Sequence, residues 1–307
     1  MMGNFMYDVI VIGAGPAGLS SAIYALRAGK KVLVLEGKSY GGQIINTPKV
    51  ENYPGIREIS GFHFATEMFE QAKALGAEIL YEKCTGIVKK EESFLVSAGE
   101  KSYEGQSIVL ATGAVNKKLG VEREEELTGK GVSYCATCDG AFFRDKDVAV
   151  VGGGNTALED ALFLSNYCKS VALIHRRDSF RGEKKRELLL REKENVHFYL
   201  EQGVSALHGE ERLQEITLCH KVTGEEKRLP VEGLFIAVGQ TPDTQDFTSL
   251  IQVDAGGYVV AGEDCRTSIP GVFVAGDCRT KQIRQLTTAV ADGSVAALAA
   301  CAFCEEQ

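Results

Sequence analysis

Asp8-Val9-Ile10-Val11-Ile12-Gly13-Ala14-Gly15-Pro16-Ala17-Gly18 is the stretch that decides the fold. Its continuous β-branched run reads as a buried strand of a parallel sheet. The glycines follow at once and open a helical stretch, Leu19 to Ala28. A second strand, Lys31 to Leu35, ends at Glu36, 23 positions after Gly13. Strand, glycine turn, helix, strand and acid together form a dinucleotide fingerprint in its full context. In such a turn the backbone approaches a pyrophosphate at the helix N-terminus, where unpaired N–H groups and the dipole favour an anion. Gly13, Gly15, Pro16, Ala17 and Gly18 are therefore candidate contacts, with Glu36 accepting from a ribose diol.

The pattern returns. Asp147-Val148-Ala149-Val150-Val151-Gly152-Gly153-Gly154-Asn155-Thr156-Ala157 repeats it, with Asp147 in the register of Asp8. A helix over Leu158 to Tyr167 and a strand over Val171 to Ile174 keep that register, the sign of an internal repeat. At the position equivalent to Glu36 stands His175, followed by Arg176, Arg177 and, four residues beyond, Arg181. A carboxylate there would repel a 2′-phosphate, whereas guanidinium groups bind one in bidentate fashion. The first unit thus reads as a site for a dinucleotide with a free ribose. The second reads as an NADP(H) site built from Gly152, Gly154, Asn155, Thr156, His175, Arg176, Arg177 and Arg181.

Between the fingerprints lie the loop glycines Gly41-Gly42-Gln43, the segment around Asn52, and an amphipathic helix over Phe62 to Leu75. Ser107 to Gly113 is an apolar strand whose small end, Gly113, suits a sheet edge facing a dinucleotide. Gly233 to Gly239 is its counterpart in the second unit. A third such strand, Gly271 to Asp277, ends in Gly276-Asp277 and suits the unfinished sheet of the first unit, and Thr287 to Phe303 reads as a helix. The expected class is α/β: two Rossmann-like, three-layer dinucleotide-binding domains, the second inserted into the first. The expected boundaries are 1–117 with 246–307 for the first domain and 118–245 for the second. The crossings near Val115–Val121 and Gln240–Asp246 are short enough to serve as a hinge.

Composition agrees with two ordinary domains. The 307 residues are 44% hydrophobic and 25% charged, values usual for a globular protein. A net charge of -8, with no basic stripe, argues against nucleic acid as a partner. Met1 to Tyr7 has no basic, apolar leader pattern, and no run approaches 18 apolar residues, so no membrane span is expected. Nine cysteines without a leader point to a reducing compartment, the cytoplasm.

Two of those cysteines stand in Ser133-Tyr134-Cys135-Ala136-Thr137-Cys138-Asp139-Gly140. Such a pair is a redox couple, half of a zinc site, or two buried cysteines without further meaning. As a redox couple, one thiol supports the thiolate of the other, the species that attacks disulfides. Asp139 adds a carboxyl group able to protonate a departing thiolate. No metal is expected: the second pair, Cys301 and Cys304, lies far from the spacing of a zinc site. That pair reads as a packing detail, and Cys84, Cys168, Cys219, Cys265 and Cys278 read as small buried hydrophobes.

These motifs together resemble the low-molecular-weight, bacterial-type thioredoxin reductases. The resemblance spans nearly the whole chain, from Asp8 to the terminal helix. Its specific part is the cysteine pair inside the inserted unit. The resemblance implies FAD in the first unit, held also near Gly41, Gly42, Gln43, Asn52, Gly276, Asp277, Arg284 and Gln285, and NADPH in the second. It further implies a homodimer, and thioredoxin or a similar small dithiol protein as electron acceptor. Cys138 would face the flavin, Cys135 attack the protein substrate and Asp139 protonate a thiolate. A relative that takes electrons from ferredoxin would have no need of the arginine set at 176–181.

Overall fold

The computed structural model describes residues 6–307; the first five residues of the stretch read as lacking a leader lie outside them. The chain divides into two compact units, Met1–Val115 with Thr241–Gln307, and Asn116–Gln240. The first opens with β1 (Met6–Ile12), which leads through the glycine turn into α1 (Pro16–Arg27). β2 (Val32–Leu35) lies parallel beside β1 with Ile12 opposite Leu35. α2 (Gly61–Ala74) and β3 (Glu78–Leu80) extend this side. On the other side a meander, β4 (Cys84–Lys89), β5 (Phe94–Ala98) and β6 (Lys101–Leu110), completes the order β3-β2-β1-β6-β5-β4.

β7 (Ala114–Asn116) carries the chain out of the first unit. The second holds α3 (Glu124–Leu127), β8 (Val132–Ser133) and the single-turn α4 (Ala136–Asp139). Then come β9 (Asp147–Gly152), α5 (Asn155–Leu164), β10 (Ser170–Ile174), α6 (Lys184–Arg191) and β11 (Val196–Tyr199). An antiparallel sheet of β12 (Gln202–His208), β13 (Glu215–His220) and β14 (Glu226–Pro230) follows. β15 (Gly233–Ala237) returns to the parallel sheet, ordered β11-β10-β9-β15-β8.

β16 (Gln240–Pro242) leads back. β17 (Val272–Val274) then pairs parallel with β6, the place expected for the third apolar strand. The chain ends in α7 (Leu286–Glu305). By length and composition α7 is apolar enough to cross a membrane, which a search for an unbroken apolar run did not anticipate. In this unit one face of it packs into the core, where Ala296, Ala297 and Ala300 are fully buried. A Cβ at Gly293 would stand 2.3 Å from the carbonyl oxygen of Ala17, so the residue must be small for α7 to lie this close to α1.

The repeat has a physical basis beyond its glycines. Asp8 accepts the backbone N–H of Lys31 at 2.6 Å, tying the start of β2 to β1. Asp147 accepts the Ser170 hydroxyl at 2.7 Å and the Lys169 ammonium at 2.9 Å, tying β10 to β9. Each unit buries both faces of its sheet. In the first, Val9 and Val11 point to α1 and α7, Ile10 and Ile12 to the opposite layer. In the second, Val148 and Val150 face α5, Ala149 and Val151 the antiparallel sheet. Burial on both sides is why these strands read as unbroken apolar runs.

Candidate active site

In the first unit the candidate residues gather at the carboxyl ends of the parallel strands, where open α/β sheets bind ligands. Gly15 caps α1 without a side-chain hydrogen bond, and Pro16 takes the first helical position. The helix end therefore presents backbone donors. A Cβ on Gly15 would meet only the Cα of Gly42, at 3.9 Å, so the two glycines flank one groove. The Glu36 carboxylate reaches back to this loop and accepts the N–H of Ala14 at 2.8 Å. Gln43 donates its side-chain amide to the carbonyl of Ala114, one residue past Gly113. Asn52 donates to Gln285 at 3.4 Å, and Gln285 caps α7 in a reciprocal pair with Thr288.

Arg284 donates to the Asp277 and Arg279 carbonyls and lies 4.2 Å above the Tyr258 ring. The Asp277 carboxyl is pushed up by burial, with Lys281 and Arg284 pulling it back. Two buried side-chain oxygens here, Asp277 Oδ1 and Thr112 Oγ1, have no hydrogen-bond partner among the described residues, apart from the Cys278 thiol lying by the Thr112 hydroxyl. A buried polar atom without a partner is costly. With the bare glycine groove, these orphans fit a nucleotide bearing hydroxyl groups. Thr112 was not among the residues singled out, because a threonine at a strand end carries no signal of its own.

The second unit offers a similar cradle. Gly154 precedes α5, again without a side-chain cap, and a Cβ there would meet nothing within 4 Å. Asn155 and Thr156 are exposed at the helix start. Asn155 accepts the N–H of Glu183 at 2.7 Å, fastening the loop that carries Arg181. Arg176, Arg177 and Arg181 are all exposed, and none of the three forms an ion pair among the described residues. The set fits a nucleotide with an added phosphate. His175 stands apart from them. It is 5% exposed, its ring stacks on Phe180 at 5.3 Å, and it lies flat against Gly153. Burial, then Arg181, lowers its pKa. It is the floor under the arginines, where its position in the repeat had grouped it with them.

Cys135 and Cys138 are joined as a disulfide. Cys135 is the N-cap of α4, and its carbonyl accepts the N–H groups of Cys138 and Asp139. Ser133, buried at the end of β8, organises the site: it donates to Asp139 Oδ2 at 2.6 Å and accepts the N–H of Cys135 at 3.0 Å. Burial pushes the Asp139 carboxyl up, opposed by the Ser133 hydroxyl, in the same turn as the two cysteines. Ser133 went unassigned because only the folded turn shows whom its hydroxyl serves.

Seven other cysteines are free. Cys84, Cys168, Cys265 and Cys278 are buried as expected, with thiol pKa values raised by burial. Cys219 corrects that grouping: it is half-buried, on the antiparallel sheet next to the β13 edge residue His220. Cys301 sits in the core, and Cys304 donates to the Asp8 carbonyl at 3.3 Å, fastening the end of α7. Burial raises both of these thiols.

Residues 7–293 match the family described as pyridine nucleotide-disulphide oxidoreductase, and the chain belongs to it. It is a flavoprotein disulfide reductase of the bacterial thioredoxin reductase type, using a flavin and a pyridine nucleotide. Among its relatives, the thioredoxin reductase of Listeria innocua is 43% identical over 302 residues, covering 98% of this chain and 95% of that one. That of Bacillus subtilis strain 168 is 41% identical, covering 98% and 96%. The crystal structure of thioredoxin reductase from Streptococcus pyogenes MGAS5005 superposes with a TM-score of 0.94 at 38% identity, covering 99% and 100%.

Proposed function

We propose that this reductase is specific for FAD and NADPH and that its physiological acceptor is thioredoxin or a similar small dithiol protein. The observation that carries the reading is the Cys135–Cys138 disulfide with the half-buried Asp139 beside it in sequence, in the same unit as the exposed arginines. FAD would be held by Gly13, Gly15, Gly42, Glu36, Thr112, Asp277 and their neighbours. When bound, it supplies the two-electron relay between nicotinamide and disulfide. NADPH would be held by the Gly152–Thr156 turn, with Arg176, Arg177 and Arg181 on the 2′-phosphate.

The cysteine steps follow from thiol chemistry. The dithiol form of the pair holds two electrons more than the disulfide. Cys135, as thiolate, attacks one sulfur of the acceptor disulfide, and the other leaves as a thiolate. Asp139, whose carboxyl is pushed up by burial, would give it a proton. Cys138 then attacks the Cys135 sulfur, which re-forms the ring and releases the acceptor as a dithiol. We also place the enzyme in the cytoplasm as a homodimer. Support for the first is the set of seven free thiols. Support for the second is the exposed apolar group Tyr24, Val295 and Leu298 on the packed helices α1 and α7.

The test is NADPH oxidation with and without thioredoxin and a thiol-reactive reporter. Reporter turnover should require both NADPH and thioredoxin. Cys135→Ser and Cys138→Ser should each abolish it while leaving FAD bound. Equal NADPH consumption without thioredoxin would refute the acceptor assignment.

A further inference from the structure

Asp292 is an acid buried in the Ala-rich helix α7, 7% exposed. Arg279 grips it twice, from Nε to Oδ2 and from its terminal nitrogen to Oδ1, both at 2.9 Å. Lys281 adds a third contact at 2.8 Å. The fourth donor is a backbone group: the N–H of Gly276 reaches Asp292 Oδ2 at 3.0 Å. Gly276 has φ +80, a left-handed conformation suited to glycine, and a Cβ on it would stand 2.8 Å from that of Ala17 at the start of α1. The carboxylate therefore pins the residue that precedes Asp277.

With Asp277 itself set aside, the charges around Asp292 do not balance. Arg279 and Lys281 are almost wholly enclosed, with side chains 3% and 6% exposed, against one buried carboxylate. Glu263 approaches Arg279 at 3.6 Å, but its side chain is 97% exposed, and ion pairs of that kind contribute little. Burial raises the Asp292 carboxyl, yet Arg279 and Lys281 together outweigh it and hold the acid ionised. One enclosed cation is thus in excess over Asp292, and Lys281, together with the half-buried Arg284, acts on Asp277, whose Oδ1 has no partner among the described residues.

We propose that Asp292, with Arg279 and Lys281, is a positioning device for the turn at Gly276–Asp277. It sets where Asp277 points, and the single surplus cation sets how strongly Asp277 accepts hydroxyl groups of the flavin half of the cofactor. The proposal rests on the reading of the first unit as the FAD site. It follows that a change in the charge count at this cluster is felt by the flavin half and not by the adenosine half, which the Gly13–Gly18 loop and Glu36 hold.

The experiment measures binding of FAD and of ADP to apoprotein, by flavin fluorescence and calorimetry, with thermal unfolding of each apoprotein alongside. Asp292→Asn keeps an acceptor for the Gly276 N–H but leaves two cations unpaired. It should weaken FAD at least about tenfold, the loss of one charge-assisted contact, with ADP within about twofold. Asp292→Asn combined with Lys281→Met restores one surplus cation and should bring FAD back to within about threefold of wild type. Lys281→Met alone keeps the Arg279–Asp292 pair, and so the fold, yet should weaken FAD at least about threefold. FAD binding unchanged in Asp292→Asn or in Lys281→Met overturns the proposal. So does an equal loss of FAD and ADP, or a double variant as weak as the single one, since each marks a mere brace for the helix. A wild-type apoprotein that takes up no FAD would instead break the flavin-site reading.

Discussion

Gly13 and Gly152 stand at equivalent turns. A Cβ on either would strike the carbonyl oxygen ending the neighbouring strand, Ala111 at 2.4 Å in the first unit and Ala237 at 2.3 Å in the second. The two turns part at what closes them. In the first, Glu36 at the end of β2 reaches back and accepts the N–H of Ala14. In the second, His175 after β10 lies buried against Gly153 and sends no hydrogen bond to the loop, while Arg176 and Arg177 project outward. The frame is common, and on the proposed reading the selectivity is carried by one strand end. The acid there braces the loop and would address a ribose, whereas the aromatic floor leaves the next residues exposed, where they would meet a phosphate.

The sharpest way to break this comparison is to strip the second strand end. Each arginine contact to a phosphate is worth about 1.5–3 kcal/mol. Arg176→Ala with Arg177→Ala should therefore lower kcat/KM for NADPH by at least about 100-fold. NADH should change by less than about threefold, because it lacks the phosphate. Steady-state kinetics with both nucleotides decides the matter, and equal losses would contradict the assignment.

Next in size are the open glycines. Gly15 and Gly154 have room for a methyl group in the protein itself, so Gly15→Ala and Gly154→Ala should keep the apoprotein unfolding temperature. Each should cost at least about tenfold in binding its own nucleotide, the usual scale of overpacking. Gly15→Ala should lose FAD and spare NADPH, and Gly154→Ala the reverse. A variant that loses both would show the loops to be coupled, not parallel.

Glu36→Gln keeps an acceptor for Ala14 but removes the charge that a ribose diol meets. FAD should weaken by about fivefold, the scale of one hydrogen bond, measured on the apoprotein.

The smallest effect is expected at His175. His175→Gln should leave the KM for NADPH within about threefold, because the ring is 5% exposed while the three arginines beside it are exposed. Its signature is in stability. Since burial and the arginines hold the folded-state pKa below the usual value, the unfolded chain takes up a proton that the folded chain resists. Stability of the wild type should therefore fall as pH drops through about 6.5 and below, and the variant should lose that part of the slope. Burial raises the Asp160 carboxyl, in the same unit, to about 7, with the opposite sign. The difference between the two proteins, by chemical denaturation from pH 5 to 8, isolates the histidine.

Much of the fold was legible because it is written in local patterns. The apolar strands, the glycine turns and the matching positions of Asp8 and Asp147 are short-range signals, and each has one physical reading. Helix starts were less legible. α5 begins at Asn155, three residues before the expected Leu158, because it opens on the polar, exposed Asn155 and Thr156, where apolar periodicity says nothing. The cysteine pair, the arginines and the loop glycines were visible for the same local reason. The chain by itself therefore determined two dinucleotide frames, one inserted in the other, and a dithiol in the second.

Tertiary structure alone decided which neighbours each polar side chain would meet. Ser133 serves both Asp139 and Cys135 only once α4 folds back beside β8. His175 and Arg176 are adjacent in sequence just past β10, yet one is buried and the other exposed, because only the His175 ring packs against Gly153 and Phe180. Asp292 reads as a polar break in an Ala-rich helix until Arg279, Lys281 and the Gly276 N–H close around it. The reason is the same in each case. An ionised or hydrogen-bonding group is stable in a core only with its partners in place, and those partners are set by chain reversals that no run of neighbouring residues records.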